Sequence, residues 1–131
     1  MAEHNEIGKI GENMAKTFLM KQGFGILDLN YRILPGEIDI IAKKDKIIHF
    51  IEVKTIKVRD CANIENLTIR PEDNLTFAKW SKLIVTIKTY LKHKNISHET
   101  RYQVDLACVY LDTEKKEGRV KLLQNVHKEK E

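Results

Sequence analysis

A stretch with the pattern of a β-hairpin, residues 36–54, constrains the fold more than any other part of this chain. Glu37 and Asp39 alternate with isoleucines in the first arm, Glu52 and Lys54 flank Val53 in the second, and charged residues around 44–47 separate the two arms. A period of two is typical of strands with one buried face, and the interruption predicts a tight turn. We therefore expect a sheet in which this hairpin supplies two neighbouring strands.

The predicted register brings acidic residues together across the hairpin. With a turn centred between residues 45 and 46, Asp39 falls opposite Glu52, and Glu37 falls opposite Lys54 on the same face. The apolar residues predicted on the other face are Ile38, Ile40, Ile51 and Val53. Cross-strand partners have Cβ atoms about 4.5–5.5 Å apart. Asp39 and Glu52 should therefore repel each other, unless a cation lies between them or one carboxyl keeps its proton.

A divalent metal ion is one partner that suits this pair. Mg²⁺ binds one or two carboxylates and completes its octahedral shell with water or phosphate oxygens. Lys54, beside such an ion, could polarise a water molecule or neutralise charge on a phosphate. The alternative is an exposed hairpin face on which Glu37 and Lys54 form an ion pair worth about 0.2–1 kcal/mol. The residues alone leave both interpretations open.

Length and composition are typical of one small globular domain. The chain has 131 residues, of which 42% are hydrophobic and 32% charged, and its net charge of +4 is compatible with a polyanionic partner. We expect a single domain over residues 1–131, with residues 126–131 as a frayed tail. No apolar run approaches the ~18 residues of a membrane span.

Compartment is indicated by the N-terminus and the cysteines. The first residues lack the basic and apolar regions of a secretory signal. Cys61 and Cys108 are far apart, and the chain has no Cys-x-x-Cys pair, so we interpret both as free thiols. These features predict a cytoplasmic protein that does not associate with membranes.

Helical and strand periodicities predict the remaining elements. They are a helix over residues 6–22, a strand over 24–33, a helix over 75–94, and strands over 101–111 and 119–125. Gly23 should end the first helix in a left-handed cap, and Asn74 or Thr76 should cap the second. Residues 55–73 show no clear period and are expected to form a loop. The order α-β-β-β-α-β-β predicts a layered α/β domain, a mixed β-sheet flanked by helices.

Two acidic residues outside the hairpin have positions that need an explanation. Glu12 lies at the margin of the apolar stripe of the first helix, so its carboxylate either reaches over the sheet edge or is a solvated surface group. Asp105 interrupts the apolar run of the fourth strand, and a buried aspartate needs a partner.

Four basic residues are candidates for contacts with nucleic-acid phosphates. Arg32 lies near Glu37 if the first two strands pair, so it either binds a phosphate or forms an ion pair with Glu37. Lys57 and Arg59 begin the 55–73 loop, which is either a flap over a polyanion or a surface excursion. Lys79, near the start of the second helix, either contacts a phosphate or belongs to a solvated lysine-rich face.

The motifs that the chain shares with a known family cover about residues 6–110. They are Gly8-x-x-x-Glu12-x-x-Ala15, Gly23-Phe24, Asn30-Tyr31-Arg32, Gly36-Glu37-Ile38-Asp39-Ile40-Ile41, Phe50-Ile51-Glu52-Val53-Lys54, Lys79 and Val104-Asp105. In this order they resemble the PD-(D/E)XK nuclease superfamily and, more closely, the YraN-like family of predicted endonucleases, which is related to archaeal Holliday junction resolvases. Two departures are Ile56, where the family usually has arginine, and Gln103-Val104, where it tends to have Arg-Phe.

This resemblance implies a restriction-endonuclease-like fold and metal-dependent hydrolysis of phosphodiester bonds in branched, damaged or duplex DNA. It implies that Asp39, Glu52 and the Val53 carbonyl bind Mg²⁺ or Mn²⁺. Glu12 would reach the metal directly or through water, and Lys54 would position the attacking water. Junction resolvases act as symmetric pairs, so the analogy also implies a homodimer. The alternative function is a non-catalytic module on a nuclease scaffold that binds nucleic acid or another protein.

Overall fold

The computed structural model describes residues 2–34, 36–59, 61 and 75–126. Within these residues the chain forms α1 (Ala2–Lys21), β1 (Gly25–Ile33), β2 (Gly36–Lys44), β3 (Ile47–Lys57), α2 (Phe77–His93), β4 (Arg101–Asp112) and β5 (Glu117–Leu123). This order confirms the predicted α/β class and is consistent with the restriction-endonuclease-like fold that the resemblance implied. Neither described helix is long and apolar enough to cross a membrane.

The strands form one mixed sheet in the order β1-β2-β3-β4-β5. Neighbouring strands are antiparallel except β3 and β4, which are parallel. Parallel neighbours need a long crossover connection, and α2 lies in the segment between these two strands. The central position of β3 matters for the site, because β3 pairs with the hairpin strand on one side and with buried β4 on the other.

Each helix covers one face of the sheet. Side chains alternate across a strand, so Ile51 of β3 packs in the cluster beneath α1, whereas Phe50 packs beneath α2. The α1 cluster includes Ala15, Leu19, Phe24, Ile40, Ile51, Ala107 and Val109. The α2 cluster includes Ile38, Ile41, Ile48, Phe50, Leu83, Ile87, Tyr90 and Val104. Both faces of the central strands are therefore buried.

The helix ends and a close contact follow from local sequence. Gly23 has a φ of 92°, and the N–H groups of Gly23 and Phe24 donate to the carbonyls of Met20 and Leu19, which is the predicted left-handed cap. Thr76 caps α2 by accepting a hydrogen bond from the Lys79 N–H, and Asn74 lies outside the described residues. α1 lies directly on β3 at Gly11, because an added Cβ there would overlap Thr55 Oγ1.

One expectation about side-chain direction is wrong. Ile38 was placed on the same face as Ile40, but Ile38 packs beneath α2 and Ile40 packs beneath α1. Asn30 has a left-handed backbone, with a φ of 51°, and the β1–β2 ladder skips the position where Asn30 would pair with Asp39. An irregularity of this kind reverses the alternation, so residues before and after it point to opposite faces.

The loop prediction for residues 55–73 is tested only at its start. β3 continues to Lys57, and the Val58 N–H donates to the Leu111 carbonyl, so these residues extend the sheet. Residue 60 and residues 62–74 lie outside the described residues, as do residues 127–131. The interpretation of the loop as a flap therefore stays a prediction. Cys61 and Cys108 are both free and buried, as expected.

Candidate active site

The β2–β3 hairpin is closed at its turn and opens at its other end. Asp45 and Lys46 both have positive φ angles, 51° and 67°, as a two-residue hairpin turn of type I′ requires. The ladder pairs residue 44 with residue 47 and Ile40 with Ile51, which is the predicted register. It ends at Ile40, so the residues of β2 before this point are released from β3.

Asp39 lies at the point where the two strands separate. Its Oδ2 accepts a hydrogen bond from the Val53 N–H at 2.8 Å, where a regular ladder would place a backbone carbonyl. The expected cross-strand pairing of Asp39 with Glu52 is therefore not formed. The Asp39 side chain instead points toward the backbone of Val53. The opened ladder provides the backbone N–H that holds this carboxylate in place.

An open groove of about 700 Å³ lies between the first half of α1 and the opened ends of β1, β2 and β3. The charged residues that line it are Lys9, Glu12, Arg32, Glu37, Asp39 and Lys54. Backbone or side-chain atoms of Val53 and Thr55 complete the β3 wall. Of the residues that the sequence analysis selected, the groove thus brings together Glu12, Arg32, Asp39, Val53 and Lys54.

Glu52 lies beside the groove and not in its lining. One of its carboxylate oxygens is 4.0 Å from the Lys79 Nζ, so the side chain reaches toward the first turn of α2. Glu52 and Val53 are neighbours on a strand, and alternation directs their side chains to opposite faces. Glu52 is nevertheless close enough for its charge to raise the pKa of Asp39.

The pKa of Asp39 is raised mainly by burial and further by neighbouring acidic groups. Burial raises the pKa of Asp39 from 3.8 to about 6, the Val53 N–H opposes this rise, and the charges of Glu12, Glu52 and Glu37 add to it. A carboxyl group in a partly dry site among other carboxylates keeps its proton to higher pH. A bound proton or cation would offset the negative charge of Asp39 and its acidic neighbours.

The other two carboxylates show the same tendency. Burial raises the pKa of Glu12, and Glu37 adds to the effect, whereas a hydrogen bond to Asn30 and the charge of Arg32 lower it. Burial is also the main cause of the raised pKa of Glu52; Lys79 acts against it. Three partly buried carboxylates from α1, β2 and β3 are therefore all shifted toward the neutral form.

The donor types that the resemblance implies are carboxylate and carbonyl oxygens, which hard divalent cations prefer. Across residues 2–34, 36–59, 61 and 75–126 there is no group of three or more His, Cys, Asp or Glu side chains that could hold a metal ion together. The set implied by the resemblance is smaller: Asp39, Glu52 and the Val53 carbonyl. Mg²⁺ accepts one or two carboxylates and takes its remaining ligands from water and phosphate, so this set is sufficient for it.

The basic residues occupy different positions around the site. Arg32 pairs with Glu37 across the β1–β2 ladder, with its Nε 3.2 Å from a carboxylate oxygen, and both line the groove. Lys57 and Arg59 are exposed further along the chain and do not line it. The predicted phosphate contacts of these residues and of Lys79 stay predictions.

Asn30 is a groove residue to which the sequence analysis assigned no function. Its side chain lowers the pKa of Glu12 by hydrogen bonding, and its left-handed backbone coincides with the position missing from the β1–β2 ladder beside Asp39. Asparagine tolerates this backbone region better than most residues. An asparagine in the middle of a strand pattern, opposite a predicted functional aspartate, was the signal that could have identified it.

Comparisons with known proteins cover most of the chain. The sequence profile described as Uncharacterised protein family UPF0102 matches residues 11–109. A UPF0102 protein of Campylobacter fetus is 39% identical over 116 residues, 88% of each chain. A UPF0102 protein of Flavobacterium psychrophilum is 36% identical over 120 residues, 92% of each chain. One from Clostridium botulinum is 34% identical over 122 residues, which are 93% of this chain and 94% of the relative.

Proposed function

The chain belongs to the uncharacterised protein family UPF0102, the YraN-like family that its motifs indicated, and on that premise we propose that it is a metal-dependent endonuclease acting on DNA. Branched and damaged DNA are the candidate substrates. The relatives' names carry no activity, so the proposal is supported by the site. The observation that carries it is the convergence of Glu12 from α1, Asp39 from β2 and Lys54 from β3 in one groove.

Asp39, Glu52 and the Val53 carbonyl would hold Mg²⁺ or Mn²⁺, and Glu12 would reach it directly or through water. When bound, such an ion polarises the scissile phosphate and lowers the pKa of a coordinated water. The Val53 N–H donates to Asp39 Oδ2 at 2.8 Å, and this hydrogen bond would restrain the carboxylate as a metal ligand. A fixed ligand loses little conformational entropy when the ion binds.

Lys54 lines the same groove as Asp39, and its ammonium would orient the attacking water or neutralise charge that develops on the phosphate. Lys79, whose Nζ is 4.0 Å from a Glu52 carboxylate oxygen, would bind a neighbouring phosphate. Arg32, which lines the groove, could bind another phosphate in exchange for its contact with Glu37. These cations would position the DNA backbone, which is how most protein–DNA hydrogen bonds act.

A second candidate is a nucleic-acid-binding or protein-interaction module without turnover. Three observations favour it: Glu52 pairs with Lys79 outside the groove lining, the described residues contain no three-ligand cluster, and Ile56 replaces the arginine usual in the family. Such a module would bind DNA with an affinity that falls steeply with salt and needs no divalent metal.

Cleavage of a matched panel of DNA tests the proposal. Junction, flap, bulged and fully paired DNA, and a paired RNA, would be incubated with Mg²⁺ or Mn²⁺ and with wild type, Asp39→Asn, Lys54→Ala or Lys121→Ala. We expect each site variant to lose a factor of about 10²–10³ in rate or more, since each removes charge stabilisation in the transition state. Lys121 is an exposed lysine on β5 outside the groove, so its variant should cleave like wild type. Equal cleavage by all four proteins would refute the catalytic assignment.

A further inference from the structure

A second open cavity, of about 690 Å³, lies at the C-terminal end of α2. Its walls come from the last turns of α2, from the connection between α2 and β4, and from the start of β4. Ligand cavities in proteins commonly have volumes of about 300–1,000 Å³, so a small molecule would fit here. The lining residues that matter for its chemistry are Lys88, Leu91 and Lys92 of α2, Ile96 of the connection, and Tyr102 of β4.

The base of this cavity is apolar and carries an aromatic ring. Leu91 and Ile96 are partly buried and pack against the hydrophobic cluster beneath α2. The Tyr102 ring makes a T-shaped contact with the buried Phe50 ring, with 5.7 Å between the ring centroids. Tyr102 nevertheless keeps 39% of its surface exposed. The ring is therefore supported by the core and still has surface that a flat apolar group could cover.

Two lysines line the same cavity. Lys88 and Lys92 are four residues apart in α2, so they lie on one face of the helix. Among the described residues, none that lines the cavity is acidic, and neither lysine takes part in an ion pair. A lysine in the last turn of a helix is favoured by the helix dipole alone. Two lysines beside one cavity without an acidic neighbour in its described lining also suit an anionic ligand.

The connection after α2 is held in place by local hydrogen bonds. The N–H groups of Asn95 and Ile96 donate to the carbonyls of Lys92 and Leu91, and Asn95 adopts the left-handed region with a φ of 52°. These bonds occupy carbonyls at the negative end of the helix, which reduces their repulsion of an anion. They also form the wall before a ligand arrives, so less ordering is required on binding.

We propose that this cavity binds a nucleotide, with the phosphate held by Lys88 and Lys92 and the base covering Tyr102. A nucleotide joins an anionic phosphate to a flat ring, and the cavity offers two lysines and an exposed aromatic side chain. Aromatic side chains stack on any base, so the identity of the base should matter little. The nucleotide is either a free mononucleotide or the phosphorylated end of a DNA strand.

This site is separate from the groove and does not depend on the proposed nuclease activity. Tyr102 pairs with Ile48 in the β3–β4 ladder. Val53, which lines the groove, lies five residues further along β3, a distance of about 16 Å at the usual rise per residue of a strand.

Titration calorimetry in a chelator tests the ligand class. Deoxyadenosine 5′-monophosphate, deoxyadenosine and inorganic phosphate would each be titrated into the wild-type protein, as would one oligonucleotide with and without a 5′-phosphate. We expect the nucleotide to bind about tenfold more tightly than the nucleoside or inorganic phosphate, since only the nucleotide contacts both the lysines and the ring.

The oligonucleotides distinguish the two sources of the nucleotide. Tighter binding of the mononucleotide than of the phosphorylated oligonucleotide would assign a free nucleotide, and the reverse order would assign a strand end. The proposal would be overturned if the 5′-phosphate changed neither affinity, or if inorganic phosphate bound as tightly as the tighter of the two phosphorylated ligands.

Variants of the lining residues test the two contacts. Lys88→Gln combined with Lys92→Gln should weaken binding of the preferred ligand about tenfold, because two contacts between lysine and phosphate are lost. Tyr102→Leu should weaken it about tenfold through the lost stacking, and Tyr102→Phe should retain the affinity. Lys82→Gln is the matched control, because Lys82 is an exposed lysine of the same helix that does not line the cavity. Thermal unfolding would confirm that the variants are folded, and full affinity in the double lysine variant would contradict the phosphate contact.

Lys54→Ala separates this proposal from the nuclease proposal. Lys54 lines the groove, so its variant should lose cleavage and keep the nucleotide affinity of wild type. A loss of nucleotide binding in this variant would place the ligand in the groove and overturn the second site. Nucleotide binding that depends on Lys88, Lys92 and Tyr102, without cleavage of any DNA, would support the cavity and refute hydrolysis.

Discussion

Asp39 on β2 and Asp105 on β4 lie on the two strands that flank β3, but they differ in burial and in hydrogen-bonding partners. Asp105 is fully buried, and its oxygens are 2.6 Å from His49 Nδ1, 2.8 Å from Gln103 Nε2 and 2.9 Å from the Asn125 backbone nitrogen. Asp39 accepts one hydrogen bond from Val53, and three glutamates raise its pKa further. The Asp105 carboxylate thus has three hydrogen-bonding partners, whereas Asp39 has one and a raised pKa.

Within one sheet, the surroundings of Asp105 suit a structural role, and those of Asp39 suit the binding of a ligand. A buried charge with a full set of partners strengthens packing specificity and has no capacity left for a ligand. A partly buried charge among like charges costs stability, and that cost is removed only when a proton or a cation binds. The requirement for a partner at Asp105, predicted from its place in an apolar run, is confirmed by His49, Gln103 and Asn125.

The largest effect on stability should come from replacing Asp105, the aspartate with three hydrogen-bonding partners. Asp105→Ala leaves the buried His49 without its partner and removes the acceptor of the Asn125 N–H, and we expect a loss of about 3–5 kcal/mol in the free energy of unfolding. Urea unfolding would measure it, with Glu114→Ala in an exposed turn as the control. A loss below about 1 kcal/mol would mean that the network does not hold β3 and β4 together.

In metal-free protein, Asp39→Asn should increase the free energy of unfolding at pH 7, whereas Asp105→Ala should decrease it. The pKa of Asp39 is raised to about 6, so between about pH 4 and pH 6 the native state keeps a proton that the unfolded chain has lost. Wild-type stability should therefore fall as the pH rises through this window, by up to about 2–3 kcal/mol, and stay low above it. The variant lacks this loss and should be more stable than wild type at pH 7. Parallel stability curves for the two proteins would contradict the raised pKa.

We expect a divalent ion to be a partner of the Asp39 carboxylate, as His49 is a partner of the Asp105 carboxylate. At ten times its dissociation constant, Mn²⁺ should stabilise wild type by about 1.4 kcal/mol through binding to the native state alone. The melting temperature of wild type should rise with Mn²⁺, while that of Asp39→Asn should stay constant and that of Asp105→Asn should rise from a lower starting value. A rise of the same size in Asp39→Asn would place the ion elsewhere.

The smallest expected effect concerns Arg32 at the edge of the groove. Its pair with Glu37 is exposed, so Arg32→Ala should change the free energy of unfolding by less than about 1 kcal/mol. If Arg32 binds a phosphate, the variant should instead show weaker DNA binding and a salt dependence reduced by about one counterion. Unchanged binding at every salt concentration would assign Arg32 to the ion pair with Glu37.

The hairpin, its turn and its register were predictable because they depend on local pattern. Alternating isoleucines define one period, and Asp45 with Lys46 fills a turn whose length fixes the pairing of Ile40 with Ile51. The direction of Asp39 was not predictable in the same way. Asp39 lies where both neighbouring ladders lack a pair, opposite the left-handed Asn30 of β1 and beside the Val53 N–H of β3.

The sequence by itself determined the order of elements, the helix cap at Gly23 and the chemical character of the acidic cluster, because periodicity and residue chemistry are local properties. Only the tertiary structure decided that Glu12 joins Asp39 and Lys54 in one groove while Glu52 turns to Lys79. Those arrangements depend on how α1 and α2 pack on opposite faces of the sheet and on where a ladder breaks. Such distances are set by contacts between residues far apart in the chain, which no local pattern contains.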